Sequence, residues 1–261
     1  MKYIKISIVL NKTIKPPYFI GSQIRGAFGY SLKESSCINP SFNCKGCFCT
    51  STCNYYQFYE KENVTHKYRF DFKLSDDRYA FNLYLLEENK SHIPNILISL
   101  EKMLTDFGLG DRKIKDDDFV ITVEENQKEF VAKDMSGNIR ITLQTPLRIK
   151  KNNRFVRDNS LELIDIIKSI YQRREKLLGG SYRTLDFEAK WETTSKDLKY
   201  KELTRRSNRQ RTTMNLGGIT GTLEVKNLDK ESCDILQLGE IIGVGKSTVF
   251  GLGKIKIEDM G

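Results

Sequence analysis

The chain has 261 residues, of which 39% are apolar and 30% are charged. This apolar content is enough to build a core, so the composition excludes wholesale disorder, and no segment has the roughly 20 consecutive apolar residues that a membrane-spanning helix needs. The start MKYIKISIVL is too short and too interrupted by Lys for a signal peptide, so we expect a soluble cytoplasmic protein. Lys and Arg outnumber Asp and Glu by 43 to 34, a net charge of +9, which predicts a polyanionic partner such as nucleic acid.

The first half of the chain is predicted to alternate strands and helices. Residues 2–10 alternate apolar and polar side chains, which indicates a half-buried strand, and a short helix is expected at about 21–35. A cysteine-rich loop fills residues 36–54. The remaining elements expected in this half are strands at about 67–74 and 79–86, a helix from Pro94 to Phe107, and a strand at 119–123.

The second half is predicted to repeat this order. After its first helix, a polar, charged stretch without regular structure is expected from about 179 to 200. The elements expected in this half are a strand at 138–145 that Pro146 ends, a helix at 160–178, strands near 203–214 and 218–226, a short helix at 231–238, and a last strand that ends near Ile257.

Both halves therefore have the β-α-β-β-α-β order of the ferredoxin-like fold, which the RNA-binding RRM shares. We predict an α+β protein made of two tandem domains that meet in the polar run 124–137. Residues 1–128 would form an N-terminal domain that contains the cysteine-rich loop. Residues 129–261 would form a C-terminal RNA-binding domain with a glycine-rich loop at 239–255.

The glycine-rich run GEIIGVGKS at 239–247 superficially matches a phosphate-binding P-loop, G-x4-G-K-[ST]. Five residues separate Gly239 from Gly245 where the motif requires four, and the run leads into a predicted strand instead of a helix. No helix N-terminus is then available to a phosphate group. We therefore expect no nucleoside triphosphate as a ligand.

The longer stretch 239–257 resembles the C-terminal glycine-rich loop of the RAMP superfamily of CRISPR-associated proteins. It is most similar to the endoribonuclease that cuts CRISPR precursor RNA, Cas family six. Segments that match this family in the same order lie at residues 21–60, 145–150, 172–180 and 205–225. The resemblance implies tandem ferredoxin-like domains and CRISPR repeat RNA as the ligand. It also implies cleavage without a catalytic metal, by attack of a ribose 2′-hydroxyl, leaving a 2′,3′-cyclic phosphate and a 5′-hydroxyl.

The catalytic residues depart from the pattern of this family. Many members carry a His in or near the first helix, which has none here, and the chain contains only His66 and His92. An imidazole suits proton transfer near neutral pH, so His66 is the candidate general base. The alternative is an exposed loop His without a catalytic role. Some members act without His, and Arg25, Tyr30 and Lys246 would form the corresponding set here.

Two basic segments are candidates for RNA contact. The first is the predicted strand at 203–214, in which three arginines share one face and could follow a phosphate backbone. The alternative is an exposed edge strand whose charges prevent aggregation. A second basic loop contains Arg148, Lys150, Lys151, Arg154 and Arg157. The candidate RNA-binding residues are Arg205, Arg206, Arg209, Gln210, Arg211, Gly243, Gly245, Lys246, Ser247 and Thr248.

Five of the six cysteines lie between residues 37 and 53. Cys44 and Cys47 have the C-x2-C spacing of a zinc knuckle, and Cys37 and Cys53 flank them at spacings that suit ligands. We expect these four thiols to hold one structural zinc ion, with Cys49 as a spare. An iron–sulfur cluster and a reduced loop without metal are the alternatives.

Three functions fit these observations. The first is an endoribonuclease that binds CRISPR repeat RNA and processes precursor crRNA. The second is a non-cleaving RAMP-type subunit that holds the guide RNA in a CRISPR effector complex, which the missing His in the first helix favours. The third is a zinc-containing, RRM-like RNA-binding protein of an unrelated pathway.

Overall fold

A computed structural model describes residues 1–11, 14–87, 90–110, 112–124, 127–207 and 212–261. The chain divides into two compact units, Met1–Lys128 and Glu129–Gly261. Within the described ranges, no helix has the length and apolar character needed to cross a membrane.

Unit 1 contains an antiparallel sheet with the strand order β2-β3-β1-β4. This order, together with the sequence of elements, is consistent with a ferredoxin-like fold. Its elements are β1 (Lys2–Leu10), α1 (Gly21–Ser36), β2 (Tyr68–Phe72), β3 (Ala80–Leu86), α2 (Ile93–Lys102) and β4 (Phe119–Val123). Shorter π-helical turns lie at Tyr56–Glu60 and Met103–Phe107, and 3₁₀ turns at Lys90–His92 and Asp116–Asp118.

The core of unit 1 follows from the periodicity of its sequence. Every second residue of β1 from Ile4 onward is buried, because successive side chains of a strand point to opposite faces. On α1, Ile24, Phe28 and Leu32 recur every four residues and are fully buried. These positions confirm the predicted first strand and first helix.

Unit 2 repeats this arrangement with the strand order β13-β6-β12-β9. Its main elements are β6 (Ile139–Leu147), α3 (Leu163–Leu177), β9 (Glu192–Lys201), β12 (Gly218–Lys226), α4 (Lys230–Ile242) and β13 (Ile255–Asp259). Its short elements are β7 (Lys150–Lys151), β8 (Arg154–Phe155), β10 (Thr204–Ser207), β11 (Thr212–Asn215) and a 3₁₀ turn at Thr248–Phe250, whereas the short strand β5 (Lys128–Glu129) belongs to the sheet of unit 1. The α+β class with antiparallel sheets is thereby confirmed.

Three predictions for unit 2 were wrong. The stretch expected to be irregular contains β9, and β9, not residues 203–214, is the strand beside β12. Residues 204–215 instead form a separate two-stranded sheet of β10 and β11. Pro146 does not end its strand, and β6 continues to Leu147. The pairing of β6 with β12 changes register next to Pro146, so the missing N–H of proline costs little there.

A further difference concerns the glycine-rich loop. The helix before it does not stop at residue 238, and α4 continues to Ile242. Gly239 is therefore a helical residue, and its missing side chain leaves room for Ile170, whose Cδ1 would lie 2.6 Å from an added Cβ. The irregular part of the glycine-rich segment, residues 243–254, connects α4 to β13.

Candidate nucleic-acid interface and catalytic groups

The glycine-rich segment, residues 243–254, lies against the chain just after β6. The N–H of Lys246 donates to the carbonyl of Arg148 at 2.9 Å, and the N–H of Val244 donates to the carbonyl of Gly253 at 2.9 Å. An added Cβ on Gly245, whose φ is +75°, would lie 2.6 Å from the Arg148 carbonyl oxygen. Glycine is needed here because two backbone segments approach each other closely.

The predicted RNA-binding residues of this segment differ in what they offer a ligand. The N–H of Gly243 donates to the carbonyl of Gly239 at 2.9 Å, and the N–H of Gly245 donates to Ser169 Oγ at 3.0 Å. Thr248 is buried, whereas the side chain of Lys246 is exposed. Contact with a polyanion at this point therefore depends on side-chain charge more than on backbone donors.

Lys246 lies among other cations. Partial burial, followed by the charges of Lys176, Lys150 and Arg173, lowers the pKa of Lys246 from the ordinary lysine value. In the part of the chain that the structure describes, none of the ion pairs involves Lys150, Lys176 or Lys246. We call Lys150, Arg173, Lys176 and Lys246 the basic cluster. The charges of its three lysines can attract phosphate groups.

One face of α3 positions the glycine-rich segment. Ser169, Arg173 and Lys176 recur at the spacing that places side chains on one side of a helix. Ser169 Oγ accepts the N–H of Gly245, and Arg173 Nε donates to the carbonyl of Ile242 at 2.8 Å. Sequence reasoning did not name Arg173 and Lys176 as site residues, although this i, i+4, i+7 spacing could have indicated them.

The hairpin of β10 and β11 reaches the same segment through Arg205. The guanidinium carbon of Arg205 lies 4.4 Å from the ring centroid of Phe250, which belongs to the 3₁₀ turn of the glycine-rich segment. The predicted ladder of arginines on one strand face stays a prediction. Arg209, Gln210 and Arg211 lie outside the described residues, and Arg206 is described by its backbone alone.

The second basic loop is fastened by Arg148. Its Nη1 donates to the carbonyls of Asn215 and Gly217 at 2.9 and 3.1 Å, and its guanidinium carbon lies 4.3 Å from the centroid of Phe155. Lys150 Nζ lies 5.1 Å from the same ring. Arg148 therefore holds the loop against the end of β11. Lys150, two residues further along this loop, contributes its charge to the basic cluster.

Two of the candidate catalytic residues meet in a cluster of tyrosines in unit 1. The guanidinium carbon of Arg25 lies 4.5 Å from the ring centroid of Tyr59, whose hydroxyl donates to the Arg25 carbonyl at 2.7 Å. The ring of half-buried His66 lies 5.7 Å from that of Tyr68, which is 6.1 Å from Tyr59. Burial raises the pKa of Tyr59 and of Tyr68, so both are neutral hydrogen-bonding groups near pH 7 and not bases.

The other two candidates lie elsewhere. Tyr30 is 65% exposed, and its ring stacks on Phe107 at a centroid distance of 6.3 Å, whereas Arg25 on the same helix contacts Tyr59. Lys246 belongs to unit 2. Within unit 1, the structure therefore groups Arg25 with His66 and separates Tyr30 from them.

The five cysteines of the loop after α1 line a single cavity. All five are free thiols and half-buried. Among the residues that the structure describes, no three His, Cys, Asp or Glu side chains already stand in an arrangement that could hold a metal ion. The structure thus brings the predicted ligands together without placing them in metal-binding geometry.

Two family models match the chain. One, described as an N-terminal domain (AF_1859_N), matches residues 1–141, and the model for the CRISPR-associated endoribonuclease Cas6 matches residues 141–255. The basic cluster and the glycine-rich segment lie inside the second match. No curated protein matches the chain.

Solved structures share the fold over nearly the whole chain. A product complex of Cas6 from Thermus thermophilus has a TM-score of 0.59 at 13% identity, covering 99% of this chain and 100% of that chain. A RAMP protein binding different RNA substrates has a TM-score of 0.54 at 14% identity, covering 99% and 100%. A Cas6-related protein from Pyrococcus furiosus has a TM-score of 0.52 at 14% identity, covering 100% and 99%.

Proposed function

Because this chain is a Cas6/RAMP-type CRISPR protein, we propose that it binds CRISPR repeat RNA and cuts precursor crRNA as a metal-independent endoribonuclease. The observation that carries the proposal is the basic cluster beside the glycine-rich segment, within the residues that match the endoribonuclease family. Matches to Cas6 and RAMP folds at both units support it. The family match also argues against an RNA-binding protein of an unrelated pathway.

RNA binding would rest on electrostatic attraction at unit 2. Three lysines of the basic cluster form no ion pair with a described carboxylate, so their charge is available to phosphates. Neutralising phosphates releases counterions from the RNA, which makes such binding strong and dependent on salt. Arg205 would add a further cation next to Phe250, whose ring is a surface on which a base can stack.

Cleavage by this chemistry needs three groups. A base takes the proton of the ribose 2′-hydroxyl, whose oxygen attacks the neighbouring phosphorus. The bond from phosphorus to the 5′-oxygen breaks, and an acid gives that oxygen a proton, so the products are a 2′,3′-cyclic phosphate and a 5′-hydroxyl. A cation stabilises the negative charge that develops on the phosphate oxygens. We assign the base to His66 and the stabilisation of the negative charge on phosphorus to Arg25, both in unit 1. Lys246, in unit 2, is assigned to contact with the RNA backbone.

The proposed reaction is tested with the repeat RNA of the protein's own CRISPR locus. In EDTA, we expect the purified protein to cut this RNA once and to leave a cyclic phosphate. A 2′-deoxy substitution at the cut site should abolish cleavage and leave binding unchanged, because only the nucleophile is removed. Cleavage that requires a divalent metal, or that proceeds on the 2′-deoxy RNA, would contradict this mechanism.

A non-cleaving subunit of a CRISPR effector complex is the second candidate function. The observation that favours it is the absence of a His from α1, the helix that carries one in many members of the family. The same experiment separates the two functions. A protein that binds the unmodified repeat RNA tightly and leaves it intact would be the non-cleaving subunit.

The contribution of the basic cluster to binding can be measured with Lys246→Ala. We expect this variant to weaken binding of all single-stranded RNAs by a similar factor, because a phosphate contact does not depend on base sequence. The slope of the logarithm of affinity against the logarithm of salt concentration should fall by roughly 0.7, the value for one phosphate contact on a single strand. Arg205→Ala should behave in the same way.

Lys230→Ala is the matched control for this measurement. Lys230 is also exposed, and its replacement by Ala also removes one positive charge. It differs from Lys246 in position, because Lys230 is the first residue of α4 and Lys246 follows the last. Lys230 also pairs with Asp234 at 3.0 Å. We expect its salt dependence to equal that of the wild type. Equal losses in Lys230→Ala and Lys246→Ala would show that net charge, and not the basic cluster, governs binding.

A further inference from the structure

The cysteine-rich loop begins and ends at the same place. Ser36 Oγ donates to Asn95 Oδ1 at 2.9 Å, and Asn54 Nδ2 donates to the same oxygen at 3.1 Å. Cys37 follows Ser36 directly and Cys53 precedes Asn54 directly. A single side chain of α2 therefore holds the two ends of the loop together, and it brings Cys37 close to Cys53.

The loop itself is built from local turns. The N–H of Cys47 donates to the carbonyl of Cys44 at 3.3 Å, and Gly46 between them has a φ of +72°, which favours glycine. The N–H of Cys53 donates to the carbonyl of Cys49 at 2.9 Å. The C-x2-C pair thus lies in a tight turn of the kind that presents two thiols to one metal ion.

The cavity that these turns enclose has an all-sulfur set of strong metal ligands. Its described lining contains five cysteines and no His, Asp or Glu. Thiolates select soft or borderline metals such as zinc over magnesium or calcium, which prefer oxygen ligands. Lys33, in the last turn of α1, has its Nζ 5.1 Å from the ring centroid of Tyr55, which lines the cavity, and would partly balance the negative charge of a four-thiolate zinc site.

We propose that this loop is a structural zinc site with Cys37, Cys44, Cys47 and Cys53 as ligands. Cys37 and Cys53 are the central pair, because the Asn95 side chain holds together the residues directly next to them. Cys44 and Cys47 supply the knuckle, and Cys49 remains unbound. The loop that carries the four thiols is built from local turns outside the sheet, so binding of the ion would not require the sheet to change.

Zinc at this site would fasten the end of α1 to the turn that leads into β2. Cys37 caps α1 at its C-terminus, and Cys53 precedes the π-helical turn Tyr56–Glu60. Such a clip stabilises the folded state because the unfolded chain cannot assemble the ligands. The role is separate from RNA cleavage, so the test does not depend on RNA.

The metal content of the purified, reduced protein tests this proposal. We expect about one zinc per chain in the wild type, and a loss of roughly tenfold or more in Cys47→Ser and in Cys53→Ser, because each removes one of four ligands. Cys49→Ser is the matched control, since it removes a thiol from the same cavity and should keep its zinc.

Cobalt substitution keeps the test decisive if a serine variant does not fold. Metal-stripped wild-type protein titrated with Co²⁺ should develop a thiolate-to-cobalt charge-transfer band with the intensity of four thiolates, and Cys49→Ser should develop the same band. Wild-type protein without zinc, protein that contains iron and sulfide, or a Cys49→Ser variant that loses its zinc would each overturn the proposal.

Discussion

His66→Ala is expected to slow cleavage of the repeat RNA by roughly 10²–10⁴-fold and to leave RNA affinity nearly unchanged. A general base acts on a proton only in the transition state, so its loss lowers the cleavage rate at saturating protein and not the binding of the ground state. His66 is half-buried beside Tyr68 and shares this tyrosine cluster with Arg25. Single-turnover cleavage in EDTA and filter binding of the 2′-deoxy RNA measure the two quantities separately.

The other histidine of the chain provides the control. His92 lies in the 3₁₀ turn before α2, and His92→Ala should cleave at the wild-type rate. Circular dichroism of both variants excludes loss of fold as the cause of a slow reaction. Wild-type cleavage by His66→Ala would remove the imidazole from the mechanism and favour charge stabilisation without it, for which Arg25 is the candidate in unit 1.

Asp71→Asn is expected to destabilise unit 1 by about 3–5 kcal/mol. Asp71 and Arg69 lie on β2 at i and i+2, with Nη2 and Oδ2 2.8 Å apart and the side chains only 7% and 1% exposed. Neutralising the carboxylate leaves a buried guanidinium without its opposite charge. Arg69 also lies 5.2 Å from the Tyr84 ring, a contact too weak to replace the lost ion pair.

Hydrogen exchange of β2 measures this effect in unit 1. Trp191, the one tryptophan of the chain, belongs to unit 2, so its fluorescence reports separately on that unit. The double variant Arg69→Met, Asp71→Leu should recover most of the lost stability, because it removes both charges and fills similar volume.

Asp234→Asn is the control for an exposed ion pair. It breaks the pair of Asp234 with Lys230, whose side chain is largely exposed to solvent, and should not change the unfolding midpoint measurably. If Asp71→Asn were as mild as Asp234→Asn, the buried pair would contribute no more than a surface one.

The elements that the sequence predicted well are those with a one-sided apolar pattern. Buried side chains recur at every second residue of β1 and about every fourth residue of α1. The ends of both elements were predicted to within one residue. β9 was missed because Leu198 is its one buried residue, with charged and polar side chains around it. Its conformation depends on pairing with β12, which is a tertiary interaction that local sequence does not encode.

The candidate site was predictable only in part for a related reason. Lys246 stands out in the sequence because it lies between glycines, but the chain has many other basic residues. Which of them meet Lys246 depends on how α3 packs against the glycine-rich segment, through Ser169 and Arg173. In the same way, Arg25 and His66 are far apart in sequence and meet only through Tyr59 and Tyr68.

The basic cluster also links folding to RNA. Partial burial, followed by the charges of Lys176, Lys150 and Arg173, lowers the pKa of Lys246, so assembling these side chains opposes folding of unit 2 when no polyanion is present. Phosphate groups would remove this repulsion, and a ligand that binds the folded state alone stabilises it by mass action. If these charges bind RNA as proposed, they cost unit 2 stability in the absence of RNA, and unit 2 is expected to gain stability when RNA binds.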